Sequence, residues 1–465
     1  MRYRLAVLSM LLVGGNTPVW ADFAADCFKK SGDAAIRACT NLIGQKPRNA
    51  IAYYNRGVEY RAKGDNDRAI ADFSKSIEIN PKNFNAYHAR GLVYRDRGDN
   101  DRAMADYTKA MSLNPKNANV YYSRGVAFQD KGDNDRAIAD YSRAIELNPK
   151  FANAHYSRGV AYRAKGDNDR AIAEYSRAIE LNPKDDFAYN NRGLVYGAKG
   201  DNDKAFADYS KAIELNPKND LAYINRGVEY RAKGDNDRAL ADYNKAIDLN
   251  PKSSLAYNNR GVTLRAKGEH DRSIADYSKA LEISPKYATA YNNRGDAFVT
   301  KREFDRALAD YSRALEIEPR NATYLQDRGY ANFYKGDFKA AAADLLRAIE
   351  IRDNAYPMLF RYLARAHSGE AAEAELEANA GRLKTKEWPY AVTELYLGKR
   401  SPAATVDAAL KANDRCEAHF YIGQWHILKS NLVDAEGALK IAVETCPKGF
   451  MEYIAAESEM KRLKR

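Results

Sequence analysis

The sequence predicts an all-α solenoid, in which pairs of antiparallel helices stack on one another along the chain. Three observations predict it. A 34-residue unit recurs nine times without a gap between residues 50 and 355, and a proline returns at the same place in eight of the nine copies. The apolar residues of each unit repeat at helical spacing. Each unit also carries one turn signal in its middle and another at its end.

The first half of each unit predicts a first helix. We number each unit from 1, so that Ala50 and Phe84 begin the first two. Tyrosine occupies position 4 in seven units, glycine position 8 in all nine, and an aromatic residue position 11 in seven. This spacing places all three on one helix face, where the glycine lets a neighbouring helix approach closely. Lys63-Gly64-Asp65 and its equivalents predict the helix end, because lysine suits the negative C-terminal end and glycine accepts a left-handed backbone.

The second half of each unit predicts a second helix. The aspartate at position 16, as in Asp65, Asp99 and Asp133, is the expected N-cap. With few exceptions, alanine at positions 20 and 27 leaves room for the rings at positions 4, 11 and 24. Asn-Pro at positions 31 and 32 stops the helix in most units. Each unit is therefore a helical hairpin whose apolar face is buried only by its neighbours.

This pattern of Tyr at 4, Gly at 8, Tyr at 11, Ala at 20, Tyr at 24, Ala at 27 and Pro at 32 closely resembles the tetratricopeptide repeat (TPR) family. The resemblance covers residues 50–355 and implies a right-handed superhelix whose first helices line a concave groove. The chain departs from the family at position 7, where a large aliphatic residue is usual and arginine stands in all nine units. Position 23 is Asp or Glu in all nine. We expect a structural arginine–carboxylate pair between the helices, with a row of ligand-binding arginines as the alternative.

The two ends of the array are less regular. Residues 22–49 are predicted to form an N-terminal half-repeat cap, and 416–465 a C-terminal TPR-like unit with a closing helix from Glu452. Between the array and that unit, 356–415 reads as a divergent helical region. Its predicted helices are 356–367, 370–384 and 403–412.

Four cysteines form two local pairs, one at each end of the array: Cys27 with Cys39 and Cys416 with Cys446. We predict two disulfides, because the sequence between the pairs contains no cysteine and an antiparallel hairpin brings the second pair together. Four free buried thiols are the alternative.

Residues 1–21 read as a secretory signal peptide with a predicted cut after Ala21, because Arg2 and Arg4 precede a short apolar run. That run is too short for a permanent span, so we expect no transmembrane anchor in the mature chain. The formal charge of the whole chain is +11, and loss of the two arginines leaves +9. We expect a periplasmic or secreted protein that meets anionic envelope surfaces or acidic proteins, and no nucleic acid.

The sequence predicts no catalytic, cofactor-binding or metal-binding arrangement. Three of the six histidines, His155, His419 and His426, stand at aromatic core positions. The recurring Gly-Asp-Asn-Asp turn lacks the later carboxylate that a calcium loop needs. We therefore expect neither enzymatic activity, a cofactor nor a metal. The alternative is an enzyme with its site in 356–415, where only the break in the repeat points to one.

Binding to another macromolecule is the remaining class of function. The resemblance places positions 2, 5, 6, 9 and 12 on the groove wall, and an amide at position 6 suits the backbone of an extended peptide. The candidate groove residues are Asn55, Asn191, Asn225, Asn259, Asn293, Arg61, Arg95, Arg163, Arg231, Arg265, Tyr54, Tyr122 and Tyr156.

We expect a scaffold or adaptor that captures a protein or peptide partner with some acidic residues. One alternative is a carbohydrate-binding component of an exopolysaccharide synthesis or export machine, with an anionic polysaccharide as ligand. Another is that these polar side chains only keep an open face soluble.

Overall fold

Helices make up all the regular structure in the computed structural model, which describes residues 19–464, with side chains from residue 24. The predicted all-α fold of stacked helix pairs is confirmed. The predicted signal peptide lies mostly outside these residues, and only 19–21 are included, at the start of a helix. No helix between residues 19 and 464 is both long and apolar enough to cross a bilayer. The chain divides after Pro217 into two compact units.

Unit 1 is a row of six helix pairs. Its helices are α1 Val19–Lys29, α2 Asp33–Gln45, α3 Ala50–Ala62, α4 Asn66–Ile79, α5 Phe84–Asp96, α6 Asn100–Leu113, α7 Ala118–Asp130, α8 Asn134–Leu147, α9 Ala152–Ala164, α10 Asn168–Leu181, α11 Asp186–Ala198 and α12 Asn202–Leu215. Each odd-numbered helix packs on the even-numbered helix that follows it, and each pair packs on the next. The predicted Cys27–Cys39 disulfide is present and joins α1 to α2.

Unit 2 continues the pairs and ends in shorter helices. Its helices are α13 Asp220–Ala232, α14 Asn236–Leu249, α15 Ser254–Ala266, α16 His270–Ile283, α17 Ala288–Thr300, α18 Phe304–Ile317, α19 Ala322–Lys335, α20 Phe338–Ile351, α21 Ala355–His367, α22 Glu373–Ala380, α23 Tyr390–Tyr396, α24 Pro402–Ala408, α25 Ala412–Leu428, α26 Leu432–Thr445 and α27 Met451–Leu463. The predicted Cys416–Cys446 disulfide joins α25 to the end of α26.

The divergent region differs from the sequence expectation. The helix predicted at 370–384 is confined to α22, which ends before Gly381, and the one predicted at 403–412 ends at Ala408. Helix α23 was not predicted, since its four buried residues depend on packing against other helices and follow no repeat. These residues are Val392, Thr393, Leu395 and Tyr396.

Helix α27, predicted as a closing helix, returns along the chain to pack on α19. Arg462 donates hydrogen bonds to the backbone carbonyls of Phe333 and Tyr334 at 3.3 and 3.2 Å. Glu457 accepts one from Arg302, before α18, at 2.6 Å. Since Ile454, Ala455 and Ala456 join the core of α19 and α21, this helix covers part of α19.

The glycine at position 8 marks the closest approach of the two helices in each repeat. A Cβ placed on Gly295 would lie 2.6 Å from Cε1 of Tyr311, the ring at position 24. Equivalent clashes would arise in all nine repeats, with Phe73 and Leu345 replacing tyrosine in two of them. Only glycine allows this packing, because real Cβ contacts do not fall below about 3 Å.

All nine arginines at position 7 pair with the carboxylate at position 23 of their own repeat, as predicted. The pairs are Arg56–Asp72, Arg90–Asp106, Arg124–Asp140, Arg158–Glu174, Arg192–Asp208, Arg226–Asp242, Arg260–Asp276, Arg294–Asp310 and Arg328–Asp344. In Arg294 and seven others, Nε and Nη2 donate to both carboxylate oxygens at 2.7–2.8 Å. Nη1 of Arg294 donates to Ser278 Oγ of the preceding repeat at 2.9 Å. These arginines therefore tie the two helices of a repeat together, and Arg294 also ties its repeat to the one before it.

The fourth repeat varies this pair without losing it. Glu174 replaces aspartate, and one of its oxygens accepts from Arg158 at 2.6 Å. The other lies 2.8 Å from Nδ1 of His155, which replaces the tyrosine at position 4. The longer acid thus reaches a second partner in the core. His155 has the packing role expected from the sequence.

Removing the first disulfide is expected to loosen only the N-terminal helix pair. In the variant Cys27→Ser/Cys39→Ser, the free energy of opening α1 and α2 should fall by about 2–3 kcal/mol, because the bridge restricts the unfolded chain. Amide hydrogen exchange checks this helix by helix. The control, Cys416→Ser/Cys446→Ser, should leave exchange in α1 and α2 unchanged. Equal exchange in the first variant and the wild type would contradict the expectation.

Candidate functional site: the first-helix face

The first-helix face consists of the side chains at positions 2, 5, 6, 9 and 12 of each repeat. It lies on α3, α5, α7, α9 and α11 in unit 1 and on α13, α15, α17 and α19 in unit 2. Within each unit, neighbouring first helices are joined by side-chain hydrogen bonds from position 5 of one repeat to position 6 of the next. These are His88–Ser123 at 2.8 Å, Tyr122–Ser157 at 3.4 Å, Tyr156–Asn191 at 2.9 Å, Asn258–Asn293 at 2.9 Å and Asn292–Asp327 at 3.1 Å. We call this row the 5–6 ladder.

The 5–6 ladder orients the asparagines at position 6. Nδ2 of Asn191 donates to the Tyr156 hydroxyl and to the Phe187 carbonyl, and Nδ2 of Asn293 donates to Asn258 Oδ1. The Oδ1 atoms of Asn191 and Asn293 accept no hydrogen bond from the described residues. The fixed amides therefore present carbonyl oxygens that can accept hydrogen bonds from a ligand N–H.

The other predicted asparagines are less constrained or differently placed. The repeat before that of Asn259 has Ile224 at position 5, and an isoleucine side chain cannot form a ladder hydrogen bond. The side chain of Asn259 makes no hydrogen bond within the described chain. The side chain of Asn55, in the first repeat, also makes no hydrogen bond to the described residues. Asn225 occupies the same position on α13. The half-buried side chains of Asn55 and Asn259 leave polar atoms within reach of a ligand.

The three predicted tyrosines lie at position 5 and are half-buried. Each packs against the ring at position 24 of its own repeat: Tyr54 on Phe73, Tyr122 on Tyr141 and Tyr156 on Tyr175, with centroids 5.7–5.8 Å apart. Burial raises the pKa of the Tyr54 and Tyr156 hydroxyls, so both stay neutral near pH 7. The hydroxyls of Tyr122 and Tyr156 take part in the 5–6 ladder, and that of Tyr54 does not, because Ala89 stands at position 6 of the next repeat.

The five predicted arginines at position 12 fall into two groups. Arg61 and Arg95 both donate to Asp96, at 2.9 and 3.1 Å, and Arg265 donates to Asp296 at 2.8 Å. Arg163 and Arg231 have no carboxylate within ion-pairing distance among the described residues. Only these two therefore offer an unneutralised guanidinium on the face.

Exposed apolar side chains at position 2 were missed by sequence reasoning, although the position itself was placed on the wall. Ile51, Phe187, Leu221 and Leu255 are 41–55% exposed. Val58, at position 9, is also exposed. The signal was available, because most other repeats carry Asn or Thr at position 2. Apolar groups so placed next to an asparagine row suit the side chains of a bound chain.

Two aspartates interrupt the face in unit 2 and were also missed. Asp296 stands at position 9, where most repeats are apolar, and accepts hydrogen bonds from Arg265 at 2.8 Å and the Tyr311 hydroxyl at 2.9 Å. Asp327 replaces asparagine at position 6 and accepts from Asn292. Burial raises the pKa of both carboxyls, and the nearby Asp296 charge helps to raise that of Asp327 to about 8.

Two further carboxyls lie in the C-terminal helices of unit 2. Glu417 accepts hydrogen bonds from Trp388 Nε1 at 2.8 Å and the Tyr356 hydroxyl at 3.0 Å, and Glu452 accepts one from Tyr421 at 3.0 Å. Burial raises the pKa of both, to about 8 for Glu452, where Glu417 adds to the effect. No group of three His, Cys, Asp or Glu side chains suited to a metal ion occurs in the part of the chain that the structure describes.

Models of the tetratricopeptide repeat match the chain at many points and together cover residues 50–321 without a gap. The matches are 50–83, 187–219 and 288–321; 73–105 and 209–241; 91–132, 227–266 and 261–301; and 122–186. No curated protein matches the chain.

Solved structures of TPR proteins resemble parts of the chain. A structure of MamA protein is 33% identical, covering 36% of this chain and 92% of MamA with a TM-score of 0.34. YrrB, described as a TPR protein with an unusual peptide-binding site, is 26% identical, with 43% and 99% covered and a TM-score of 0.36. A tetratricopeptide repeat protein from Parabacteroides merdae is 22% identical, with 53% and 97% covered and a TM-score of 0.44. From the repeat models and the stacked helix pairs, the chain belongs to the tetratricopeptide repeat family.

Proposed function

We propose that the chain is a non-catalytic scaffold that captures an extended segment of a partner protein on the first-helix face. The observation that carries this proposal is the pairing of two features there. The amides of Asn191 and Asn293 are held by the 5–6 ladder with Oδ1 atoms open to a ligand. Exposed apolar side chains lie four residues before the asparagine in other repeats, and on α11 the two features meet in Phe187 and Asn191. An extended segment needs hydrogen-bond partners for its backbone and apolar contacts for its side chains.

The charge of the face favours a partner with some acidic residues. Arg163 lies on α9 and Arg231 on α13, each without a carboxylate partner in the described residues. A guanidinium in a partly buried setting binds a carboxylate with two parallel hydrogen bonds. A segment bound along either unit would therefore gain from an acidic side chain near each of these arginines.

The two disulfides indicate where the scaffold works. Disulfides persist in oxidising compartments and are rare where thiols are kept reduced. Both Cys27–Cys39 and Cys416–Cys446 are formed. With the signal-like sequence at 1–21, they support a periplasmic or secreted location.

Alanine at Asn191, Asn225, Asn259 and Asn293 is expected to weaken capture of a segment without unfolding the protein. Peptides selected from a random library on the full chain should bind the fourfold variant about tenfold more weakly or worse, since several peptide-group hydrogen bonds are lost. Fluorescence anisotropy of labelled peptides measures this.

A matched control replaces four asparagines that begin second helices, away from the first-helix face: Asn134, Asn168, Asn202 and Asn236. This control should bind the same peptides within about twofold of wild type. If the two fourfold variants bound every selected peptide equally well, the capture proposal would be wrong.

A further inference from the structure

The first-helix face of unit 2 contains three hydrogen-bond acceptors that lack donors. Asp327 receives one hydrogen bond, from Asn292 to Oδ2, and its Oδ1 receives none from the described residues. Asn292 Oδ1 and the Tyr330 hydroxyl are both buried without a partner. The side chains of Asn292 and Tyr330 are only 7% and 5% exposed, so water does not easily serve these atoms. A buried polar atom without a partner costs about 1–3 kcal/mol.

The three residues belong to two neighbouring first helices, α17 and α19. Tyr330 stands one helical turn after Asp327 on α19, so the two side chains share a face. Asn292 reaches the same carboxylate from α17. Burial raises the pKa of the Tyr330 hydroxyl, and the charges of Tyr334, of Glu452 on α27 and of Asp327 add to the effect. We call Asn292, Asp327 and Tyr330 the acceptor cluster.

We propose that the acceptor cluster binds one cationic group, a guanidinium or ammonium, at the tip of an arginine or lysine of the captured segment. A guanidinium offers five N–H donors and an ammonium three, enough to satisfy the cluster. The assignment rests on the proposed function, because positions 5, 6 and 9 are those that a segment on the first-helix face would follow. It adds a basic residue to the acidic ones that Arg163 and Arg231 favour.

The carboxylate of Asp327 favours an organic cation over a neutral hydrogen-bond donor or a metal ion. The neighbouring Asp296 is neutralised by Arg265, at 2.8 Å, and Asp327 has no such partner among residues 24–464. When it is ionised, Asp327 is therefore the surplus negative charge of this part of the face. Its pKa, raised by burial and by Asp296 to about 8, shows that the empty site disfavours that charge. A bound cation would stabilise the ionised carboxylate and so oppose the effects of burial and of Asp296. A divalent metal ion needs more oxygen ligands than the one unpaired carboxylate of Asp327 supplies.

Titration of the full chain with N-acetyl-arginine-N-methylamide tests the site by calorimetry. The citrulline analogue has nearly the same shape without the charge and should bind at least about tenfold more weakly. Asp327→Asn should lower affinity for the arginine compound by about tenfold to a hundredfold, and Tyr330→Phe by about threefold. Tyr107→Phe, which removes a buried hydroxyl without a partner in unit 1, is the matched control and should change nothing.

Equal binding of the arginine and citrulline compounds, or unchanged affinity in Asp327→Asn, would overturn the proposal. Thermal unfolding of each variant checks that the loss is local. If library peptides still lost affinity on removal of the four asparagines, segment capture would stand while the cationic site fell. If the arginine compound bound as expected and library peptides kept their affinity for the asparagine variant, the cationic site would stand and segment capture would be wrong.

The pH dependence supplies a second readout. Binding needs Asp327 ionised, so affinity should rise by at least about tenfold from pH 6 to pH 9, a range in which guanidinium stays charged. The charged and titratable groups that act on Asp327 or feel its charge are Asp296, Arg265, Arg352, Tyr311 on α18 and the tyrosines of α19. Asn292 donates a hydrogen bond to it, and Glu452 on α27 acts on Tyr330. Glu452 also has a pKa of about 8. Glu452→Gln should therefore keep the pH dependence, and Asp327→Asn should abolish it; the opposite pattern would overturn the assignment.

Two probes test whether the cation belongs to a polypeptide or to a small molecule. A nonapeptide of glycine and serine with one central arginine should bind at least about tenfold more tightly than methylguanidine, because its backbone gains hydrogen bonds from the face. Equal affinity of the two probes would overturn the polypeptide source.

Discussion

Arg260→Met is expected to destabilise unit 2 by about 3–5 kcal/mol, the usual cost of leaving a buried carboxylate without its cation. Nε and Nη2 of Arg260 donate to the two oxygens of Asp276 at 2.7 Å, and Asp276 is only 6% exposed. Nη1 donates to Asn244 of the preceding repeat at 2.7 Å. Methionine keeps much of the aliphatic volume and removes all three bonds, so the loss reports the charge and its hydrogen bonds.

Hydrogen exchange is the appropriate measurement, because repeat proteins open locally and need not unfold in one step. Amides of α15 and α16 should exchange roughly a hundredfold to a thousandfold faster. Arg238→Met is the matched control. Arg238 is 71% exposed and pairs with Asp235 at 3.4 Å, so its loss should cost less than about 0.5 kcal/mol.

Adding Asp276→Leu to Arg260→Met should recover at least half of the lost stability, since a buried apolar pair does not carry the desolvation cost of an unpaired charge. Normal exchange in Arg260→Met, together with lost peptide binding, would instead assign the position 7 arginines to ligand binding. That was the alternative left open by the sequence, which shows the arginine and the acid but not the distance between them.

Features within one repeat could be predicted from the sequence. Helix limits followed from the turn signals: Asp65 accepts from Arg68 N at 3.1 Å as the predicted N-cap, and Gly64 has the left-handed φ of 78°. The close helix approach expected at the position 8 glycine is present, as a contact with the ring at position 24 in most repeats. Both involve residues close in sequence, where local geometry dictates the outcome.

Features between repeats could not be predicted in the same way. Lys131 pairs with Asp101 at 2.8 Å, and Lys267 with Asp237 at 2.6 Å, each pair joining neighbouring repeats. The sequence assigned these lysines only to helix ends. The 5–6 ladder likewise depends on how one hairpin stacks on the next. Because stacking sets these distances, a single repeat read alone does not contain them.

The candidate site was predicted in part for the same reason. The asparagine and arginine positions were visible as rows, but the pairing of Arg265 with Asp296 was not, and it removes one of the five arginines expected to meet an acidic partner. Asp296 and Asp327 were visible as departures from the repeat. Their importance depends on burial and on Asn292 and Tyr330, which only the packed helices bring together.

Gly295→Val is expected to destabilise unit 2 by about 3 kcal/mol or more, and Gly295→Ala by about 1–3 kcal/mol, as overpacking of a filled core. The first added carbon would lie 2.6 Å from Tyr311 Cε1 and 2.9 Å from Cδ1. Tyr311 is only 2% exposed, so its ring cannot move without disturbing α17 and α18. Exchange of amides in these two helices measures the loss.

Gly437→Ala is the control with the opposite expected sign. Gly437 lies inside α26, and a Cβ there would meet nothing within 4 Å. Alanine should therefore stabilise that helix by about 0.5–1 kcal/mol, because it restricts the unfolded chain without a clash. Two substitutions of glycine by alanine in helices of one unit would then act in opposite directions. Equal effects at the two sites would show that Tyr311 yields to the added carbon.

The Tyr311 ring, which an added carbon at position 295 would push, also connects the repeat core to the proposed cation site. The Tyr311 hydroxyl donates to Asp296 Oδ1 at 2.9 Å, and Asp296 raises the pKa of Asp327. If Gly295→Ala moves the ring, Asp296 loses that donor and relies more on Arg265. Affinity for the arginine compound should then change in Gly295→Ala and remain as in wild type in Gly437→Ala. A change in stability without a change in affinity would place the cation site beyond the influence of the repeat core.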